Sequence, residues 1–166
     1  GYTGRSIAAS IFNRNPDPAM PRIDFNCDLG EGCGDDAAIM PWISSANIAC
    51  GFHAGDPLVM RRTVRQALAA GVSLGAHPSF PDLQGFGRRV MRLPAAELEA
   101  MLIYQIGALD GIARAEGGRL THVKPHGALN NMACEETDLA TSVASAIASY
   151  DPSLILLAPA LSELAA

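Results

Sequence analysis

The chain lacks most of what ties a protein to a membrane, a nucleic acid or an oxidising compartment. No apolar stretch reaches the roughly 18 residues that cross a bilayer, so no membrane partner is expected. Its 12 Lys and Arg against 17 Asp and Glu leave a net charge of −5, and no basic block appears. A nucleic-acid binder needs positive charge to neutralise phosphates, so that class is set aside. The four cysteines, Cys27, Cys33, Cys50 and Cys134, include no C-x-x-C pair and no small-domain disulfide spacing. A reducing, cytoplasmic setting with free thiols is therefore expected, without cysteine-held zinc. There is no Walker-type G-x-x-x-x-G-K-[ST] and no G-x-S-x-G serine elbow.

What is present is apolar mass and strand–helix alternation. Hydrophobic residues make up 49% of 166 positions, enough to fill the core of one domain. Residues 1–22 carry Arg5, Asn13, Arg14, Asn15 and prolines 16, 18 and 21, and are expected to be an extension or tag outside the fold. From residue 23 to 166, a strand is expected over Ile23–Asp28, with Ile23, Phe25 and Cys27 on one face and Asp24, Asn26 and Asp28 on the other. An inner strand with one polar face suggests a barrel lumen or cleft.

Asp56-Pro57 starts a helix that Gly71 stops. Val72 opens another strand, and a Gly/Pro-rich loop spans 78–93. Pro94 starts a long helix ended by Gly117-Gly118. Strand four covers about Leu120–Lys124, a helix about Glu135–Tyr150, and a fifth strand about Leu154–Ala158. Gly127 and Asn130-Asn131 read as a turn. Such alternation means an α/β protein with a parallel sheet, either doubly wound or a β/α barrel. A full eight-stranded barrel takes about 250 residues, so a barrel here is expected to be incomplete at its C-terminal end. Exposed strand edges would then favour self-association or a partner chain.

Chemistry-bearing residues follow the apolar runs. Asp28 and Glu31 end the first, His53 the second and His77 the third; His122, Lys124 and His126 alternate along the fourth. The C-terminal ends of parallel strands share one rim, where α/β folds place their sites. Carboxylates there can act as bases or hold a cation. A lysine near a lumen needs a counter-charge or an anionic or carbonyl substrate. Asp56 reads equally as a helix cap or a ligand. Arg88-Arg89 offer forked hydrogen bonds to an anion or remain a solvated pair. His122 lies deepest and is the histidine best suited to a structural role. Cys50 with His53 is disfavoured as a nucleophilic pair, because Cys50 is expected inside a strand.

The segments IDFNCDLGEG, SSANIACGFHAGDP, GVSLGAHPSFPDLQGFGRR, YQIGALDGIA and HVKPHGALNN, in that order, closely resemble the LamB/YcsF family. The resemblance implies a β/α barrel of the glycoside hydrolase/deacetylase type. It also implies 5-oxoprolinase activity, the ATP-dependent opening of the 5-oxo-L-proline lactam to L-glutamate with two partner subunits, B and C. By motif it carries over Asp28, His53, His77, Lys124 and His126 as catalytic candidates, and Glu31, Asp56, Asp82 and Arg88 as substrate-binding ones. The family usually shows tyrosine at the position of Asn130 and often at that of Phe80, and its members continue beyond Ala166. Two rival readings remain. One is a metal-dependent hydrolase of the polysaccharide-deacetylase type, with Asp28, His77 and His126 around a divalent ion such as Zn²⁺. The other is a non-catalytic protein that binds a small carboxylate.

Overall fold

The computed structural model describes residues 23–166; the expected extension at 1–22 lies outside the described residues. Five parallel strands form one sheet in the order of the chain: β1 (Asn26–Leu29), β2 (Ser45–Ala49), β3 (Ser73–His77), β4 (Leu120–Val123) and β5 (Ile155–Leu156). A doubly wound sheet reverses its order at a switch point, and this one does not. Right-handed crossovers with no reversal put the helices on one face and leave the other facing inward, which is the barrel arrangement. The fold is thus α/β with a singly wound, barrel-type sheet.

Burial explains each strand. All five residues of β2 are buried, as expected for a parallel strand covered on both faces. Strand β1 is shorter than expected and is a sheet edge rather than an inner strand. Ile23 and Phe25 lie outside it and are exposed. Its polar face behaves as the alternation suggested: Asp24, Asn26 and Asp28 all turn toward the polar side chains of β2. Cys50 lies one residue past β2 rather than within it. It is still buried, and burial pushes its thiol up to about 12, which leaves it unreactive.

Helix α1 (Asp36–Ile39) is a single turn between β1 and β2, capped by Asp35. Helix α2 (Pro57–Ala70) begins and ends where the sequence indicates. The Asp56 side chain accepts from Leu58 N and Val59 N, both at 2.8 Å, and Gly71 closes the helix in the left-handed conformation (φ 70°). Helix α3 (Ala95–Ala115) buries Leu98, Leu102, Ile106 and Leu109 at i, i+4, i+8 and i+11. Each such side chain contributes about 1.5–3 kcal/mol of apolar burial.

One element differs from expectation. Gly127 and Asn130-Asn131, expected as a turn, lie in helix α4 (Gly127–Glu135), followed after Glu136 by α5 (Thr137–Tyr150). Asn130-Asn131 favours turns through local side-chain hydrogen bonds. Burial of Ala128, Leu129, Met132 and Ala133 on one helical face overrides that preference.

Candidate active site

The C-terminal ends of β1 to β4 deliver a carboxylate–histidine–lysine set to one mouth. Asp28, in β1, is half-buried. Its Oδ1 accepts from Lys124 Nζ and from Asn47 Nδ2, each at 2.8 Å, and its Oδ2 lies 3.4 Å from His77 Nε2. Burial opposes its ionisation, but the His77, Lys124 and Asn47 interactions outweigh it and hold the carboxyl far below its ordinary range. Asp28 is a fixed anion there, and Lys124 its counter-ion.

Glu31 follows two residues after β1. Its Oε1 lies 2.9 Å from His53 Nε2, 3.4 Å from His126 Nδ1 and 3.6 Å from His77 Nε2. Burial raises its pKa, but His53, His77 and His126 together bring it below the ordinary value. His53 comes from the loop after β2, His77 ends β3, and His126 caps α4 two residues beyond Lys124. All three rings are buried. The rings of His53 and His126 stack with centroids 3.8 Å apart, and His77 meets both edge-on. Burial, with His53 next to it, depresses His126 to about 4, so that ring is neutral at neutral pH.

The loop after β3 closes the cluster. Gly87 (φ 66°) passes so near that a Cβ there would sit 2.9 Å from His53 Cβ and from His126 Cδ2. Phe86 holds a left-handed backbone (φ 54°), a conformation that costs about 1–3 kcal/mol in a bulky residue and marks a constrained site. The Phe86 carbonyl accepts from His126 Nε2 at 2.8 Å. Arg88 lies with its guanidinium carbon 5.3 Å from the Phe86 ring centroid. Asp28, His77, Arg88, Lys124 and His126 line a cleft of about 430 Å³.

The candidates do not all reach this cleft. Asp56 is engaged as the α2 cap. Asp82 is buried and paired with Arg89, whose Nε donates to Oδ1 at 2.8 Å; that hydrogen bond holds its carboxyl down at about 2 and ties the loop to itself. His122 is buried deeper, against Asn47. Candidate metal ligands also regroup. The four atoms that converge come from Glu31, His53, His77 and His126, within 4.8 Å of one another, so Glu31 and His53 take the place of Asp28 in the expected trio.

Sequence reasoning missed three supporting residues: Asn47, Ser79 and Gln105. Asn47 steadies Asp28, Ser79 holds His53, and Gln105 holds the Ser79 backbone through N (3.0 Å) and O (2.9 Å). A lone amide in the apolar run of β2, and another on the buried stripe of α3, were the available signals.

Fold and site together define a parallel, barrel-type α/β protein with a histidine–carboxylate cluster at its strand ends. The LamB/YcsF family profile matches residues 23–166, and the chain belongs to that family. It is 67% identical over 150 residues to the 5-oxoprolinase A subunit of Azoarcus sp. (strain BH72), and 55% identical over 149 residues to that of Bacillus cereus (strain AH187). Each match covers 87% of this chain and 59% of the relative, so the chain spans about three-fifths of their length. A crystal structure of a lactam utilization protein from Thermus thermophilus superposes with a TM-score of 0.85 at 47% identity, covering 87% of this chain and 61% of that one.

Proposed function

We propose that this chain works as the A subunit of a 5-oxoprolinase, opening the lactam ring of 5-oxo-L-proline to L-glutamate in an ATP-dependent reaction shared with the B and C subunits. The observation that carries the reading is the cleft in which Lys124 and Arg88 face Asp28, His77 and His126, in a chain 67% identical to a protein of that name. Names of the relatives favour lactam chemistry over the deacetylase and passive-binding alternatives.

A five-membered lactam resists water at neutral pH, and coupling to ATP is consistent with phosphorylation of the carbonyl oxygen. In this reading Arg88 and Lys124 bind the substrate carboxylate and the negative charge that develops on the former carbonyl oxygen. The Asp28 carboxylate, whose Oδ2 lies 3.4 Å from His77 Nε2, takes a proton from water. Water's oxygen becomes part of the new γ-carboxylate. The ring C–N bond breaks, the nitrogen takes a proton to become the free amine, and the γ-glutamyl phosphate left behind is hydrolysed by a second water to glutamate and inorganic phosphate. Asp82 and Asp56 act at one remove: the first fixes the loop that carries Arg88, the second caps α2.

The test combines two measurements on the chain with the B and C subunits. Calorimetry with 5-oxoproline should show binding that depends on ATP, and an enzymatic assay should show glutamate released in step with ADP. Binding without glutamate would move the chain to the passive-carboxylate reading, and neither would remove the lactam assignment.

A further inference from the structure

The three rim histidines carry a hydrogen-bonding imbalance that the proposed lactam chemistry does not require. His77 Nδ1 lies 2.5 Å from the Lys124 carbonyl, and a carbonyl only accepts, so the proton sits on Nδ1. His126 Nε2 donates to the Phe86 carbonyl in the same way. His53 Nδ1 is 3.0 Å from Ser79 Oγ, whose single hydrogen is given to the Phe80 carbonyl at 2.8 Å, so Oγ accepts from His53 Nδ1–H. Each neutral ring has one N–H, and each has spent it outward. With the rings in the neutral form that a metal ligand requires, the inward nitrogens, His53 Nε2, His77 Nε2 and His126 Nδ1, are the lone-pair side. They face one another and the Glu31 carboxylate, with His126 Nδ1 only 3.0 Å from His77 Nε2. Four inward acceptors without a donor are costly in a buried site unless a cation satisfies them.

We propose that Glu31, His53, His77 and His126 bind one divalent transition-metal ion, with Zn²⁺ as the first ion to test. The spacing fits. Ligands about 2.0–2.1 Å from a tetrahedral ion lie about 3.4 Å apart. Four of the six separations here, 2.9, 3.0, 3.4 and 3.6 Å, bracket that edge, and all six lie within 4.8 Å. Three imidazoles with one carboxylate suit a borderline ion and disfavour Ca²⁺ or Mg²⁺, which take oxygen ligands. Outward acceptors fixing each ring are the support a metal-ligating histidine needs. Asp28 stays outside the set, already held by Lys124 and Asn47. Such an ion would supply a Lewis acid beside the cleft that His77 and His126 line.

The experiment needs no substrate, so its outcome is separate from that of the lactam reading. Chain stripped with a chelator is titrated with Zn²⁺ by calorimetry and with Co²⁺ by visible absorption, with circular dichroism confirming the fold. One ion per chain and the intense visible bands of tetrahedral Co²⁺ are expected. Glu31→Gln should weaken binding more than about 100-fold. Ser79→Ala, which only loosens His53, should weaken it about 10–100-fold. Asp28→Asn should keep one ion per chain. A folded chain that takes up no stoichiometric ion would overturn the proposal. So would loss of the ion in Asp28→Asn with retention in Glu31→Gln.

Discussion

Two polar sets line this sheet, one above the other, and their surroundings differ. In the lower set, Asp24 accepts from Ser44 Oγ (2.5 Å) and Ser45 Oγ (2.8 and 2.7 Å), and Asn47 Nδ2 donates to Asn26 Oδ1 (2.9 Å). Asn47 Oδ1 accepts from His122 Nε2 at 2.9 Å, and His122 Nδ1 lies 2.8 Å from the Thr121 hydroxyl. Each of these polar side chains has a hydrogen-bond partner within the protein. The upper set, Glu31 with His53, His77 and His126, is matched only on its outer side. Inside, three ring nitrogens and a carboxylate oxygen converge within 4.8 Å of one another. A balanced set holds strands together; an unbalanced one is built to receive something. The same residue type thus serves structure at His122 and, in the proposed site, ligand binding above it.

The sharpest way to break this comparison is at the top of the cleft. Lys124→Met leaves the Asp28 carboxylate without its cation and should reduce glutamate release by roughly 10³-fold in the assembled enzyme. Unaltered turnover would remove Lys124 from the site. In the lower set the effects should fall on stability instead. Gly75→Ala would place a Cβ 2.0 Å from His122 Nε2, and the buried ring has no room to yield. A loss of about 1–3 kcal/mol is expected in denaturant unfolding. His122→Ala leaves Asn47 Oδ1 unpaired and should cost about 1–3 kcal/mol while metal uptake is kept.

The smallest effect lies away from both sets. Tyr150 of α5 donates to Asp110 of α3 at 2.8 Å, so Tyr150→Phe should cost about 1 kcal/mol. Burial and that hydrogen bond raise the phenol to about 12. A raised folded-state value means its contribution is present below the ordinary value near 10 and is lost as pH rises toward 12. Thermal melts across that window should show a steeper decline for the wild type than for Tyr150→Phe.

Much of the architecture was legible because punctuation coincided with periodicity. Asp56-Pro57 and Gly71 mark both ends of α2, and the apolar spacing of α3 survives intact into its buried face. Helix α4 was not legible, since its two asparagines signal a turn locally and only tertiary burial decides otherwise. Rim residues were legible as a group from their positions after apolar runs. Their division of labour was not. Whether Asp28 or Glu31 joins the histidines depends on how the loop after β1 folds back. Whether Asp82 serves a substrate or Arg89 depends on a pairing inside one loop. Neither contact leaves a periodic trace in the sequence.

An ion held by Glu31, His53, His77 and His126 needs the inward nitrogens of the three rings free of protons. Long-range proton–nitrogen correlation NMR of ¹⁵N-histidine-labelled, metal-free chain reads this directly. Protons are expected on Nδ1 of His53 and His77 and on Nε2 of His126, with the opposite nitrogens bare and shifting together when one equivalent of Zn²⁺ is added. Protons on the inward nitrogens, or no response to the ion, would contradict it.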